Sequence, residues 1–257
     1  MPELPEVEGY CRHCSRVALG KKVATVKTGS SKVLEVSEST LRRHLLRNKL
    51  TSCRRHGKYL FLKISDGYAL SLHFGMSGYI DYLKGELPEH AHLALLFSSG
   101  KKLAYICPRK FGRVSIAESI DSFVEEKGLG PDALEISRKS FAERIGSYGG
   151  TIKGALMDQG LVAGIGNIYS DEILYQEGLL PGRKASKLSR EKLGKLHSAM
   201  NRILKTAIRH NGEREKFPGR YLAVRREEGS PCGICRGKIK KKAHLGRPTY
   251  FCPNHQE

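Results

Sequence analysis

The feature that most constrains this chain lies near its far end, where Cys232-Gly233-Ile234-Cys235 is followed, after sixteen intervening residues, by Cys252-Pro253-Asn254-His255. Two close pairs of ligand-type side chains, separated by a span long enough for a hairpin, describe a tetrahedral site. Three thiolates and one imidazole suit Zn²⁺, and a short tail with few apolar residues needs a metal to fold. The alternative is a coincidence of spacing. The expectation is a β-hairpin zinc finger over residues 225–257, with one structural Zn²⁺ on Cys232, Cys235, Cys252 and His255. Between the pairs lie Arg236, Lys238, Lys240, Lys241, Lys242 and Arg247, a basic set that suits phosphate contact better than protein docking.

The same bias runs through the whole chain. Forty-five Lys and Arg against 26 Asp and Glu leave a formal charge of +19, spread along the sequence rather than confined to a tail. Such a surplus supplies salt-sensitive attraction to phosphates, which points to DNA or RNA as the partner. A solvated basic surface or a membrane-surface protein is the plainer alternative. At 257 residues there is room for one large or two modest domains, either able to bury a core. No run of about 18 apolar residues could span a bilayer, and no membrane partner is expected. The opening Met1-Pro2-Glu3-Leu4-Pro5-Glu6 lacks the basic start and apolar stretch of a secretory signal. A cytoplasmic, nucleoid-associated place follows, where seven cysteines do not imply a disulfide framework.

After the opening prolines, Val7, Tyr10, Cys11, Cys14 and Val17 recur at three- and four-residue steps, one apolar face of an N-terminal helix. Cys11 and Cys14 are expected to pack inside rather than form a second metal or redox site. From about Lys22 to Ile116 the pattern changes to short runs such as 59–64, 69–74 and 93–97, separated by Asp-Gly or Ser-Gly turns. This half reads as a β-sandwich or barrel. Residues 119–137 read as a connector, punctuated by Gly128-Leu129-Gly130-Pro131-Asp132. Beyond it, Ser137 is placed to cap a helix carrying Phe141 and Ile145. Ser189 is placed to cap a long one with Leu193, Leu196, Met200, Ile203 and Ala207 on one face, ending near Asn211-Gly212. The divisions expected are an N-terminal helix with β-sandwich over 1–130, a helical domain over 131–224 and the finger over 225–257, an α+β architecture.

Two stretches carry further chemistry. In residues 159–172, glycines 160, 164 and 166 bunch just before a helical pattern that ends near Gly178 and Pro181, which looks like a helix, two turns and a helix. Glycine there lets backbone amides approach a phosphate, and Asn167 at the following helix start adds a donor beside the positive end of the dipole. A tight interhelical turn that needs glycine only for packing is the other reading. At the N-terminus, Pro2 and Glu3 suit a helix start. Removal of Met1 would also expose a secondary amine that titrates at about 8 and can act as a nucleophile at neutral pH.

Taken together, Pro2 to Glu8, Lys153 to Glu172 and the finger resemble the formamidopyrimidine-DNA glycosylase and endonuclease VIII family. The resemblance covers nearly the whole chain, with the motifs in family order. These are Pro2-Glu3, Lys58 after Arg55-His56-Gly57, His73-Phe74-Gly75-Met76-Ser77-Gly78, Pro108-Arg109-Lys110-Phe111-Gly112, the helix-two-turn-helix and the finger. It implies base-excision repair of damaged, double-stranded DNA by a monomer that is both glycosylase and abasic-site lyase. Pro2 would attack C1′ and form an imine, β- and δ-elimination would follow, Glu3 would shuttle protons, and Glu6 would support it. Lys58, Asn167 and Arg247 match positions that grip phosphates around the flipped nucleotide, and Lys153 falls in the same DNA-binding set. Met76, Arg109 and Phe111 match residues that fill the gap left by the base. His73, three residues before Met76, is as readily structural as DNA-binding.

Three departures from the family pattern stand out: His255 where many relatives carry a fourth cysteine, Cys107 where an acidic residue is common, and a segment from Asn211 to Ala223 shorter than the usual loop over 8-oxoguanine. The last suggests a shift toward formamidopyrimidines, hydantoins or oxidised pyrimidines. A zinc-dependent DNA-binding or lesion-sensing protein of the same fold would need the charge, the finger and the helical turn, but would not need Pro2 or Glu3.

Overall fold

The computed structural model describes all 257 residues. They divide into two compact units, one of residues 1–2 and 6–127, the other of residues 3–5 and 128–257. No helix is long and apolar enough to cross a membrane.

In the first unit, α1 (Leu4–Val17) buries Val7, Cys11 and Cys14 on the face its periodicity marks. The strands are β1 (Val23–Thr28), then, after α2 (Glu38–Leu45), β2 (Leu50–His56), β3 (Tyr59–Ile64), β4 (Ala69–His73), β5 (Tyr79–Leu83), β6 (Ala91–Phe97), β7 (Lys102–Ile106) and β8 (Arg113–Ala117). They form two four-stranded antiparallel sheets, ordered β1-β6-β7-β5 and β2-β3-β4-β8. Leu60, Leu62, Leu70, Leu72 and Val114 of one sheet share a core with Val26, Leu93, Leu95 and Leu103 of the other. This is the expected sandwich. Gly67 and Gly100 take positive φ of 100° and 75° at the Asp-Gly and Ser-Gly turns, a backbone region open to glycine.

Two helices were not expected. Helix α2 interrupts the strand region, with the Ser37 side chain accepting from Thr40 N and Leu41 and Leu45 buried. Two turns are too short for a helical period to stand out. Helix α3 (Ile120–Glu126) occupies the start of the expected connector and is closed by a Ser119/Ser122 capping box. Its Ile120 and Phe123 pack on Phe61, Ala69 and Ala117, the outward side of the second sheet. That cover explains why β3 is apolar on both faces where a one-sided strand would alternate.

The second unit is helical, with α4 (Arg138–Gly146), α5 (Ile152–Met157), α6 (Asn167–Gln176) and α7 (Arg190–Arg209), then a hairpin of β9 (Lys240–His244) and β10 (Arg247–Phe251). Ser137 and Ser189 cap α4 and α7 as expected, through Ser140 N and Lys192 N. The α7 stripe of Leu193, Leu196, Met200, Ile203 and Ala207 is buried with Phe141 and Ile145 of α4; each large side chain contributes about 1.5–3 kcal/mol on leaving water. Leu4 belongs to this core, and its N–H donates to Gly164 O at 3.0 Å. The hairpin turns through Leu245 and Gly246, both at positive φ, the tight turn that suits strand twist.

Candidate nucleic-acid interface and metal centre

Helix α6 is buried through its middle, from Tyr169 to Tyr175, although Ser170, Asp171 and Glu172 lie within that stretch. A helix buried on every side must satisfy its polar groups internally, and its amino end does so with Glu3. That side chain is 1% exposed. Oε2 accepts from Gly166 N at 2.7 Å and Tyr169 N at 3.3 Å, and Oε1 from Ile168 N at 2.8 Å. A Cβ on Gly166 would lie 2.6 Å from Glu3 Oε1, so this glycine makes room for the carboxylate. The glycine-rich turn thus receives an anion from the protein's own N-terminal segment, where the helix dipole favours one.

Asn167 is the first residue of α6. Its Nδ2 donates to Pro248 O of β10 at 2.9 Å, and its Oδ1 accepts from Lys153 Nζ at 2.7 Å. Lys153 is fully buried and also reaches Asp171 Oδ1 at 2.6 Å and Thr249 Oγ1 at 2.5 Å. Burial holds its ammonium below the ordinary lysine range, against the opposing pull of Asp171. Asp171 Oδ2 accepts from Arg226 Nη2 at 2.7 Å and Tyr250 N at 3.1 Å. One buried carboxylate therefore joins α5, α6, Arg226 and β10. Lys153 points into this network, whereas Arg247, at the start of β10, is exposed.

In the first unit, Met76 and Phe111 are exposed at 44% and 56%, and Arg109 is exposed beside Phe111. Large apolar side chains left in solvent on two loops are available to a partner. The loops touch: a Cβ on Gly75 would lie 2.5 Å from the Phe111 carbonyl carbon. His73 closes β4, with Nδ1 accepting from Gly75 N at 3.3 Å and the ring 4.9 Å from Tyr59. Burial, then the charges of Lys58 and Arg113, lowers its pKa to about 4. Lys58 is 8% exposed at the β2–β3 turn, after Gly57 at φ 54°. Glu6 is half-buried in the first turn of α1; Tyr10 one turn on is pushed up to about 12 by burial and then by Glu6. Pro2 is half-buried.

The four finger residues come together as their spacing suggests, with all ligand-type atoms within 4.8 Å of one another. Cys235 Sγ lies 3.6 Å from Cys252 Sγ, and His255 Nδ1 lies 3.5 Å from Cys232 Sγ and 3.9 Å from Cys235 Sγ. Tetrahedral bonds of about 2.3 Å to sulfur imply sulfur separations of about 3.8 Å, so the donors fit one metal ion. His255 Nε2 donates to Tyr175 O at 3.0 Å, which turns the Nδ1 lone pair toward the thiols. Gly237 N and Ile234 N donate to Cys235 Sγ and Cys232 Sγ, and the Tyr175 hydroxyl is 2.9 Å from Cys232 Sγ.

Sequence reasoning passed over Asp171, Glu172 and Arg226. Asp171 and Glu172 follow Ser170 in a mixed segment and carry no local sign of burial. Glu172 accepts from Ala223 N at 2.7 Å and Gln176 Nε2 at 2.9 Å, fixing the end of the short 211–223 segment, whose Phe217 and Tyr221 are buried. Nothing local marks Arg226.

Residues 1–114 match the family model described as Formamidopyrimidine-DNA glycosylase N-terminal domain, and residues 128–218 match its H2TH domain. A formamidopyrimidine-DNA glycosylase of Pelotomaculum thermopropionicum is 33% identical over 274 residues, spanning 100% of this chain and 99% of that protein. One of Desulfitobacterium hafniense is 34% identical, spanning 98% of each. Among solved structures, Lactococcus lactis Fpg in complex with DNA containing an abasic site is similar at a TM-score of 0.90 and 28% identity over 99% of each chain. The same protein with DNA containing Fapy-dG is similar at 0.90 over 99% of this chain and 100% of that one. The chain belongs to the formamidopyrimidine-DNA glycosylase family of base-excision-repair DNA glycosylases.

Proposed function

We propose that Pro2, once Met1 is removed, is the nucleophile of a combined glycosylase and abasic-site lyase, with Glu3 as its proton shuttle. The seating of Glu3 carries the reading: a carboxylate gripped by three backbone N–H groups holds its covalent neighbour, Pro2, in a fixed place. The Pro2 amine attacks C1′ of a nucleotide flipped out of the duplex, the damaged base leaves with the bonding electron pair, and Glu3 takes the proton that the amine sheds and passes it to the ring oxygen as the sugar opens to the iminium. The resulting iminium acidifies the C2′ protons. β-Elimination then releases the 3′ phosphate and δ-elimination the 5′ phosphate. Glu6 supports the amine's surroundings, and Lys58, Asn167 and Arg247 grip the phosphates. Met76, Arg109 and Phe111 occupy the gap, while Lys153 acts from behind by orienting Asn167.

The metal of the finger is zinc, a choice supported by the Cys₃His donor set and its hydrogen-bonded surroundings. It would hold the hairpin that carries Arg247. The protein works as a monomer on double-stranded DNA in the cytoplasm. The short 211–223 segment favours formamidopyrimidines, hydantoins or oxidised pyrimidines over 8-oxoguanine.

Borohydride trapping on DNA with an abasic site tests the chemistry, since only an amine that forms an imine becomes linked to DNA. The Met1-processed protein is expected to give the adduct and Pro2→Gly to lose most of it. No adduct would leave a lesion-sensing protein as the better reading, and an undiminished one in the variant would assign the imine to an amine other than that of Pro2.

A further inference from the structure

The geometry points to Cys107 as a positioning residue for the gap-filling loops, its buried thiol holding the far end of the Arg109–Phe111 loop at Gly112, where the loop meets the strand that leads to Met76. The inference rests on the reading of those loops given above. Every polar atom of Cys107, which is fully buried, is engaged. Its N–H donates to His90 O at 3.0 Å, and its carbonyl accepts from Lys110 N at 3.0 Å and from His92 Nε2 at 3.1 Å. His92 Nδ1 accepts from Ser30 N at 3.2 Å, so the proton is on Nε2 and the ring donates to Cys107. The thiol accepts from Gly112 N at 3.3 Å, across the loop that carries Arg109 and Phe111.

Gly112 in turn packs against the Tyr105 hydroxyl and the His73 carbonyl, and that hydroxyl donates to His73 O at 2.7 Å, three residues before Met76. A Cβ at Gly112 would collide with that hydroxyl, so Gly112 leaves the space in which the cluster closes. Lys110, inside the loop, takes a positive φ of 56°, a conformation that costs energy in a residue with a Cβ and persists only where its surroundings impose it. Arg109 and Phe111 are exposed, and their aim is set largely by the two ends of a six-residue span, Cys107 and Gly112. Losing the sulfur acceptor orphans a buried N–H and frees one of those ends.

Cys107→Ala, Cys107→Asp and Tyr105→Phe test this. On duplex DNA with an oxidised base, Cys107→Ala is expected to lose about tenfold in kcat/KM, the worth of one buried hydrogen-bond partner, and to discriminate less among bases placed opposite the lesion. On a single-stranded abasic oligonucleotide there is no gap to fill, and borohydride trapping should stay within about twofold of wild type. Cys107→Asp, which restores an acceptor for Gly112 N, should recover duplex excision and opposite-base preference. Should Cys107→Ala not fold, Tyr105→Phe removes only the bridging hydroxyl and carries the same expectation. Wild-type duplex activity and opposite-base preference in Cys107→Ala, or equal losses on duplex and single strand, would overturn the inference. A wild-type protein that fails to trap on duplex abasic DNA would refute the Pro2 reading instead.

Discussion

Replacing Asp171 with alanine should destabilise the second unit more than any other single change in its buried polar network. The carboxylate has no solvent exposure and accepts from Lys153 Nζ at 2.6 Å, Arg226 Nη2 at 2.7 Å and Tyr250 N at 3.1 Å. Without it, two buried cations face each other with no anion between them. Breaking a buried pair from one side costs about 3–5 kcal/mol, and the orphaned Tyr250 N–H adds about 1–3 kcal/mol. A domain's whole stability is about 5–15 kcal/mol, so the variant should be close to unfolding. Lys153→Met is the contrasting change. It leaves Asp171 with Arg226 and Tyr250 N, removes a charge that burial already disfavours, and should cost about 1–2 kcal/mol. Adding it to Asp171→Ala should recover part of the loss, because one stranded cation goes. Denaturant unfolding at neutral pH with metal retained, followed by circular dichroism, reads all three. A cost for Asp171→Ala below about 1.5 kcal/mol, the ordinary worth of one hydrogen bond, or no larger than for Lys153→Met, would refute the reasoning.

Other expectations concern metal, lesion and pH. Colorimetric release after thiol modification should find one zinc per chain, and a strong chelator should abolish hydrogen-exchange protection in 232–255; retained protection would separate the fold of the finger from its metal. In a panel of lesions opposite cytosine, formamidopyrimidine or hydantoin should be excised faster than 8-oxoguanine, and equal or faster 8-oxoguanine cutting would contradict the short-segment argument. His73, lowered to about 4 mainly by burial, binds fewer protons folded than unfolded between that value and the ordinary one of about 6.5. Its contribution to stability is therefore complete above about 6.5 and lost as pH falls toward 4; an NMR titration of its ring that ended near 6.5 would rule this out.

Features set by short spacing were legible in the sequence. The finger is the clearest, because Cys232, Cys235, Cys252 and His255 are paired locally and a hairpin suffices to join them. Helix α7 showed itself over 20 residues, long enough for its apolar period to repeat. Helices α2 and α3 did not, being two turns or fewer, and the cover α3 gives to Phe61 made β3 look fully buried with no sign of by what. The polar network was hidden for another reason: Asp171 meets partners 18 and 79 residues away, and Glu3 meets Gly166 across 163 residues. Lys153 was legible as a member of the motif, but its buried place behind Asn167 depends on Thr249, which only the fold brings near. Cys107 stood out as a departure, and its contact to Gly112 appears only once the loop is in place.

The central claim is that the amine of Pro2 does the chemistry. The most direct measurement is to reduce the protein–DNA adduct with borohydride, digest it with nuclease and trypsin, and locate the sugar remnant by mass spectrometry. The remnant is expected on the N-terminal peptide that begins at Pro2, at the terminal nitrogen. A remnant on Lys58 or any other lysine, with the Pro2 amine unmodified, would contradict it.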